Sequence, residues 1–481
     1  MSRQPRYLFS SVLIPNPAPT VPKVPYLSFR SAIGRKPPVT TEICGERSDS
    51  PATSRVVWAI ERDERSRLKT TTDANCLEFM IAKVGSVSSL SMERIQMVDL
   101  KGLTARIRPE LDEAISRVVD SGIFIGGEEV YEFSNELADE LNDGNLDDEM
   151  FVVPCANGTD ALQIALMALG VGAGDEVITP TFTFISTVEV IALLGAKPVL
   201  VDVNPDTFNI DCAAVEAAIT DLTKAIIPVH LFGQCADMGR LIEISDKHNI
   251  HLVEDTAQSL MSIYCDENGV SGKAGTFGVC GTTSFFPSKN LGCMGDGGAI
   301  FTRSGDLAKL LRSIATHGSL NKYSHEEIGV NSRLDAMQAA ILRVKLKQLK
   351  QYNRARLEAA NRYDELLKDV EWVDIPFRDP RSSHVFNQYT IKLNSKSCST
   401  NNEIQKLLKA DGIPTGIYYP TPIHLQPAYI CYGYAKGDFP VSEKLSQMVL
   451  SLPMHTELCE EQQEHIIKRL IAAIEKCNQW T

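Results

Sequence analysis

Ser284-Phe285-Phe286-Pro287-Ser288-Lys289-Asn290-Leu291-Gly292, with Gly295-Asp296-Gly297-Gly298 close behind, puts a lysine in a short loop right after an apolar strand. A hydroxyl precedes Lys289 by a few positions and a glycine cluster follows it. A solvated lysine needs no such setting. A lysine that forms an imine with a bulky aldehyde does, because the backbone has to leave room for the cofactor. Upstream, Val253-Glu254-Asp255 closes the apolar run over 250–253 with a carboxylate. Each feature alone has a plainer explanation, a surface loop lysine and a helix N-cap aspartate. The rest of the chain decides between them.

The chain has 481 residues, 43% of them hydrophobic, enough for two domains of ordinary size. A formal net charge of -13 argues against nucleic-acid and anionic-membrane partners. A phosphorylated ligand must then be held by a few local cations and helix N-termini. The 12 cysteines are scattered, with no Cys-x-x-Cys pair and no cysteine–histidine spacing that suits zinc. No metal site is expected, and a reducing cytoplasmic setting is. No apolar run approaches the length of a membrane-spanning helix.

Residues 1–41 hold arginine, lysine and many prolines with no acidic residue before Glu42, and residues 42–91 stay rich in Ser, Thr and charge without a sustained period. Residues 1–91 therefore read as a disordered extension or a spurious upstream stretch, a transit peptide being the alternative that the prolines oppose. From about residue 98 the pattern becomes globular. Helical spacing covers 103–119 and 128–141. Strands are expected at 150–154, 176–180, 198–203, 225–231, 251–255, 282–286 and 298–302, with helices at 159–169, 184–194 and 238–248 between them. This alternation implies an α/β fold with a mostly parallel sheet and helices on both faces. A long helical stretch over 334–367 leads to strands at 384–393 and 414–419 mixed with helices near 401–409 and 460–477. The division expected is a large α/β domain over 92–345 and a small α+β domain over 346–481.

Three more turns follow strands. Cys155-Ala156-Asn157-Gly158-Thr159-Asp160 is a strand-to-helix turn whose exposed N–H groups suit a phosphate. Pro180-Thr181-Phe182-Thr183-Phe184 sets an aromatic ring at the same sheet edge, and Asp255-Thr256-Ala257-Gln258 ends a further strand. Ligands of open parallel sheets gather at the carboxyl ends of the strands, where these turns and the Lys289 loop meet. The combination points to Lys289 on pyridoxal phosphate and Asp255 on its ring nitrogen.

From about residue 97 onward the chain resembles the DegT/StrS family of sugar-nucleotide aminotransferases, pyridoxal-phosphate enzymes of fold type I. The matching words are residues 156–162, Gly174-Asp175-Glu176-Val177-Ile178, Val253 to Ser259, Ser284 to Lys289, Gly295 to Gly298, Gly329-Val330-Asn331-Ser332-Arg333-Leu334, Tyr419-Pro420-Thr421-Pro422-Ile423-His424 and Leu450-Ser451-Leu452-Pro453. The resemblance implies that Lys289 carries the cofactor and shuttles the proton, and that Asp255 pairs with the pyridinium. It places Gln258 by the ring hydroxyl, Gly158, Thr159 and Ser284 on the phosphate, and Phe184 against the ring. Asn331 and Arg333 belong to a loop that reaches the partner's site, Asn331 to its phosphate, which implies a homodimer with shared active sites. Arg333, Tyr419 and His424 are the expected substrate contacts.

Within the family, Cys155 to Thr159, Phe286 to Lys289, Leu291-Gly292-Cys293 and Asn331 to Leu334 most resemble enzymes acting on UDP-2-acetamido-2-deoxy-3-oxo-glucuronate. Tyr418 departs from relatives that often carry histidine before the tyrosine. The activity implied is amino transfer from glutamate to C3 of a nucleotide-linked ketosugar for bacterial surface polysaccharide. The alternatives are a 4-ketosugar aminotransferase, a sugar dehydratase, which Lys289 opposes, and a non-catalytic regulator on the same fold.

Overall fold

The computed structural model describes residues 94–142, 149–319, 321, 323–397 and 399–478. These lie in the second of two compact units, Val87–Thr481. The expectation for residues 1–91 lies outside the described residues.

The main sheet has seven strands: β1 (Phe151–Cys155), β2 (Glu176–Pro180), β3 (Lys197–Val201), β4 (Thr223–Ile226), β5 (His251–Asp255), β8 (Cys280–Ser284) and β9 (Gly298–Thr302). The short hairpin β6 (Ile263–Cys265) and β7 (Ser271–Lys273) stands apart from it. The sheet order is β1-β9-β8-β5-β4-β2-β3, and only β9 runs against its neighbours. β2 is buried at all five positions, as a strand covered on both faces must be. Its one charge, Glu176, is held by Lys197 Nζ at 2.9 Å and Thr220 Oγ1 at 2.6 Å.

Successive residues of a strand face opposite sides, and the core obeys this. Val153, Val177, Ala225, Val253 and Ile300 pack under the helices Gly158–Ala168 and Gly305–Ala315. Their neighbours Val152, Ala299 and Phe301 pack with Phe133 and Leu137 of Glu128–Asn142 and Leu342 of Ala336–Leu346. Ile178, Ile226 and Leu252 meet Leu241 and Ile244 of Met238–His248. The C-terminal sequence forms a three-stranded antiparallel sheet, β10 (Val373–Asp374), β11 (Tyr389–Leu393) and β12 (Val449–Leu452). Its core joins the helices Leu349–Leu367, Asn401–Ala410 and Glu460–Asn478.

Several elements differ from the sequence expectation. The strand expected over 225–231 stops at Ile226, because Pro228 has no N–H to continue the ladder. That over 384–393 starts at Tyr389, after Phe386 takes a left-handed conformation at φ 45°. Residues 414–419 form no strand; Gly416 alone bridges to Ser451. The stretch over 334–367 is two helices that part after Leu346, and that over 103–119 is interrupted at Ile107, ahead of Pro109. The hairpin and the helices Cys212–Ala218 and Gly305–Ala315 carry no expectation from sequence.

Candidate active site

The carboxyl ends of β1, β2, β5 and β8 open on one cavity of about 680 Å³. Gly158, Thr159, Phe184, Asp255, Gln258, Ser284, Lys289 and Tyr419 all line it.

At the end of β1, Asn157 caps the next helix by accepting from Asp160 N–H at 2.9 Å, and Ala161 N–H begins the helical ladder. The N–H groups of Gly158 and Thr159 are thus left at the cavity wall, outside the ladder. Gly158 is required by its neighbour: a Cβ there would lie 2.6 Å from Ser284 Cβ. The Ser284 hydroxyl accepts from Phe286 N–H at 3.2 Å, which keeps it at the same corner.

Asp255 ends β5 almost wholly buried, and burial pushes its carboxyl above the usual range. Ala257 N–H at 3.0 Å, the charge of Lys289 and Thr187 Oγ1 at 3.3 Å oppose that rise by stabilising the anion. The Lys289 ammonium is pushed down to about 8 by burial, against the pull of Asp255. Gln258 accepts from Phe232 N–H at 2.8 Å and donates to the Tyr419 hydroxyl at 3.2 Å. The Phe184 ring is 54% exposed and lies 6.3 Å from the Tyr419 ring, so one face stays open to a flat ligand.

Residues to which the sequence assigned no positioning role hold this arrangement. Glu254 is fully buried and accepts from the N–H groups of Gly275, Phe277 and Gly278, each at 2.8 Å, and from His230 Nε2 at 2.9 Å. It therefore pins the end of β5 from behind Asp255. After Lys289, Asn290 donates to Val385 O at 2.9 Å and buried Lys345 donates to Gly292 O at 2.5 Å. Asp296, Gln388 and Tyr418 also line the cavity. Glu254, Asn290, Asp296 and Tyr418 stand in or beside words already read from the sequence, but nothing local gives them these roles, and the bonds of Glu254, Asn290 and Lys345 span 21 to 95 positions.

Three expected site residues lie outside the cavity. His424 is fully buried, with Nδ1 at 2.9 Å from Thr181 Oγ1 and Nε2 at 3.1 Å from Glu443, so in this chain it braces the turn before Phe184. Asn331 and Arg333 are exposed, while Ser332 between them is buried.

The residues present fit pyridoxal phosphate. Two free helix N–H groups and a hydroxyl suit the phosphate, a buried carboxylate suits the ring nitrogen, an open aromatic face suits the ring and a partly neutral amine suits the aldehyde. Among the described residues no cluster of His, Cys, Asp and Glu could hold a metal ion.

Comparison with known proteins agrees. A UDP-2-acetamido-2-deoxy-3-oxo-D-glucuronate aminotransferase of Pseudomonas aeruginosa is 46% identical over 364 residues, 76% of this chain and 96% of the relative. A pleiotropic regulatory protein of Geobacillus stearothermophilus is 44% identical over 381 residues, 78% of this chain and 97% of the relative. The solved structure of NtdA from Bacillus subtilis, with the cofactor PMP bound, matches with a TM-score of 0.72 at 30% identity, covering 80% of this chain and 86% of that one. PMP is the amino form of pyridoxal phosphate, and the shared architecture is fold type I. The model of the DegT/DnrJ/EryC1/StrS aminotransferase family matches residues 105–471, and the chain belongs to that family of pyridoxal-phosphate aminotransferases.

Proposed function

We propose that this protein moves the amino group of glutamate to C3 of a nucleotide-linked 3-oxo sugar acid, with the cavity around Lys289 as its site. The observation that carries the reading is a single cavity in which a depressed lysine faces a buried aspartate beside a helix N-terminus. The Pseudomonas relative, whose name specifies a UDP-linked 3-oxo glucuronate, supports the sugar acid.

Bound pyridoxal phosphate supplies an electron sink for the carbon that exchanges a proton and carries the amino group between half-reactions. The chain does the rest. With its pKa near 8, about a tenth of Lys289 is neutral at pH 7, which suits an amine that attacks a carbonyl and then takes and returns a proton. Asp255 places a negative charge where a ring nitrogen would carry a positive one, and Thr187 with Ala257 fixes its two oxygens. Gly158, Thr159 and Ser284 hold the phosphate, and Phe184 with Tyr419 borders the ring.

Among the described residues of the cavity wall Lys289 is the one cation, too few for substrate carboxylates and nucleotide phosphates. We assign the missing charge to a second copy of the chain. Asn331 and Arg333 point away from their own core, and Ile123, Phe124, Ile125 and Ile328 are exposed apolar residues. Asp335 bridges to Ile125, which puts that apolar surface beside the loop. A homodimer covers this surface and delivers Arg333, whose guanidinium forks a carboxylate. Residues 92–345 would form the cofactor-binding domain and 346–481 the small one. The cytoplasm is the proposed setting, in keeping with the free cysteines at 155, 212, 235, 265, 280, 293, 431, 459 and 477. No described helix is long and apolar enough to cross a membrane. The product would feed surface-polysaccharide assembly.

The test is product analysis with glutamate and a panel of UDP- and dTDP-linked 3-oxo and 4-oxo sugars, acidic and neutral. Preferred C3 amination of the acid is expected; preferred C4 amination would install the 4-ketosugar alternative. The Geobacillus relative's name favours a second reading, a regulator that binds cofactor without turnover. Cofactor absorbance with no amination of any panel member would establish it.

A further inference from the structure

We propose that Ser332 is a positioning residue shared by two active sites. Its hydroxyl fixes the phosphate-side turn of its own chain, and its backbone aims Asn331 and Arg333 at the site of a second copy. The second half rests on the dimer reading above; the first rests on geometry within one chain.

Ser332 is fully buried, and its Oγ accepts from Ala156 N–H at 3.0 Å across 176 positions of sequence. Ala156 lies just past the end of β1, two residues before Gly158, where the helix N-terminus meets the cavity. The hydroxyl therefore supplies the acceptor for an N–H that has left the strand and has not joined the helix.

The backbone of the same residue is anchored on the other side. Ser332 N–H donates to Ala315 O at 2.9 Å, and Val330 N–H donates to Ile314 O at 2.8 Å, both at the end of the helix Gly305–Ala315. His317 N–H returns a bond to Val330 O at 2.9 Å. Held this way the segment is extended and its side chains alternate: Asn331 exposed, Ser332 buried, Arg333 exposed, Leu334 buried. With a period of two, turning Ser332 inward turns both neighbours outward. One buried hydroxyl thus sets the turn that faces its own cavity and the side on which the two polar residues leave the chain. A side chain without an acceptor at 332 loses the tie between them.

The holoenzyme carrying Ser332→Ala is expected to hold cofactor about tenfold more weakly, the consequence of an unpaired N–H at the turn. Its KM for glutamate should rise several-fold while kcat changes less. Ser332→Thr, which keeps the hydroxyl, should restore both. If Ser332→Ala does not fold, Ser332→Cys, of similar volume and weaker as an acceptor, takes its place.

Chain mixing separates the two roles. Lys289→Ala and Arg333→Ala proteins are each expected to be inactive, and in their mixed dimer one competent site pairs the lysine of the Arg333→Ala chain with the loop of the other. Ser332→Ala added to the Arg333→Ala chain alters only the turn of that site, and cofactor affinity should fall. Added to the Lys289→Ala chain it alters only the loop, and glutamate KM should rise. Unchanged cofactor retention in the unmixed Ser332→Ala protein overturns the turn role. Unchanged glutamate KM in the loop arm overturns the loop role. If the parent mixture gains no activity after verified subunit exchange, the dimer reading falls and the loop role with it, while cofactor titration of the unmixed variant still decides the turn role.

Discussion

Lys289 is ionised in the folded protein at a cost, and Lys289→Met measures it. Burial brings the ammonium from 10.5 to about 8. At about 1.36 kcal/mol per pH unit, keeping it charged at neutral pH costs the cofactor-free fold about 3 kcal/mol, an upper limit because the group borders an open cavity. Below pH 8 folded and unfolded chains both carry the proton and the whole cost applies. Between about 8 and 10.5 the unfolded chain binds a proton that the folded one does not, so stability rises with pH across this window. Above 10.5 the cost is gone. Methionine keeps an unbranched apolar chain without the charge. Urea unfolding of the two cofactor-free proteins should therefore show Lys289→Met more stable by up to about 3 kcal/mol at pH 7, with the gap closing toward pH 10.5. Taking the difference at each pH cancels the titrating groups that Lys289 does not touch; Asp255, whose carboxylate feels its charge, stays in the difference. A gap that is absent at pH 7, or constant from pH 7 to 10.5, would refute the view that Lys289 is held as a desolvated amine.

Asp255→Asn should retain cofactor and lower kcat by about two to three orders of magnitude, the usual cost of removing one electrostatic partner of a reacting centre. The same change should move the titration of Lys289 in the cofactor-free protein further down, since the Asp255 carboxylate is what holds it up; amine labelling against pH reads this directly, and an unmoved midpoint would separate the two groups. Gly158→Ala should destabilise the protein by about 1–3 kcal/mol and weaken cofactor binding, because the added methyl meets Ser284 Cβ at 2.6 Å. A variant with wild-type unfolding and cofactor titration curves would show that the turn has room to move.

How legible the chain was depended on how local the cause was. β2, β5, β9 and the helix Met238–His248 have the ends expected from sequence, since each strand, parallel or antiparallel, keeps a short buried apolar centre between polar, proline or glycine ends, and the helix is bounded by Asp237 and Asn249. The hairpin β6–β7 was missed because strands of three residues, Ile-Tyr-Cys and Ser-Gly-Lys, are too short to show a period. Residues 414–419 are apolar and aromatic like a strand, yet side-chain contacts with the cavity take the place of ladder bonds. In the site, the turns that follow strands were readable because glycine, hydroxyl and charge stand there together. Thr187, Glu254, Asn290, Lys345 and Ser332 were not, since each acts through a partner brought close only by the tertiary fold. His424 shows the reverse: a motif residue whose both ring nitrogens the fold engages away from the cavity.

The most direct measurement is to reduce the cofactor-loaded protein with borohydride, digest it and locate the lysine that keeps the pyridoxyl group. Lys289 alone should carry it, at about one group per chain, and prior incubation with glutamate should abolish the labelling by discharging the covalent link. Labelling of a different lysine, or labelling of Lys289 that glutamate leaves untouched, would contradict the assignment of this cavity as a glutamate-driven aminotransferase site.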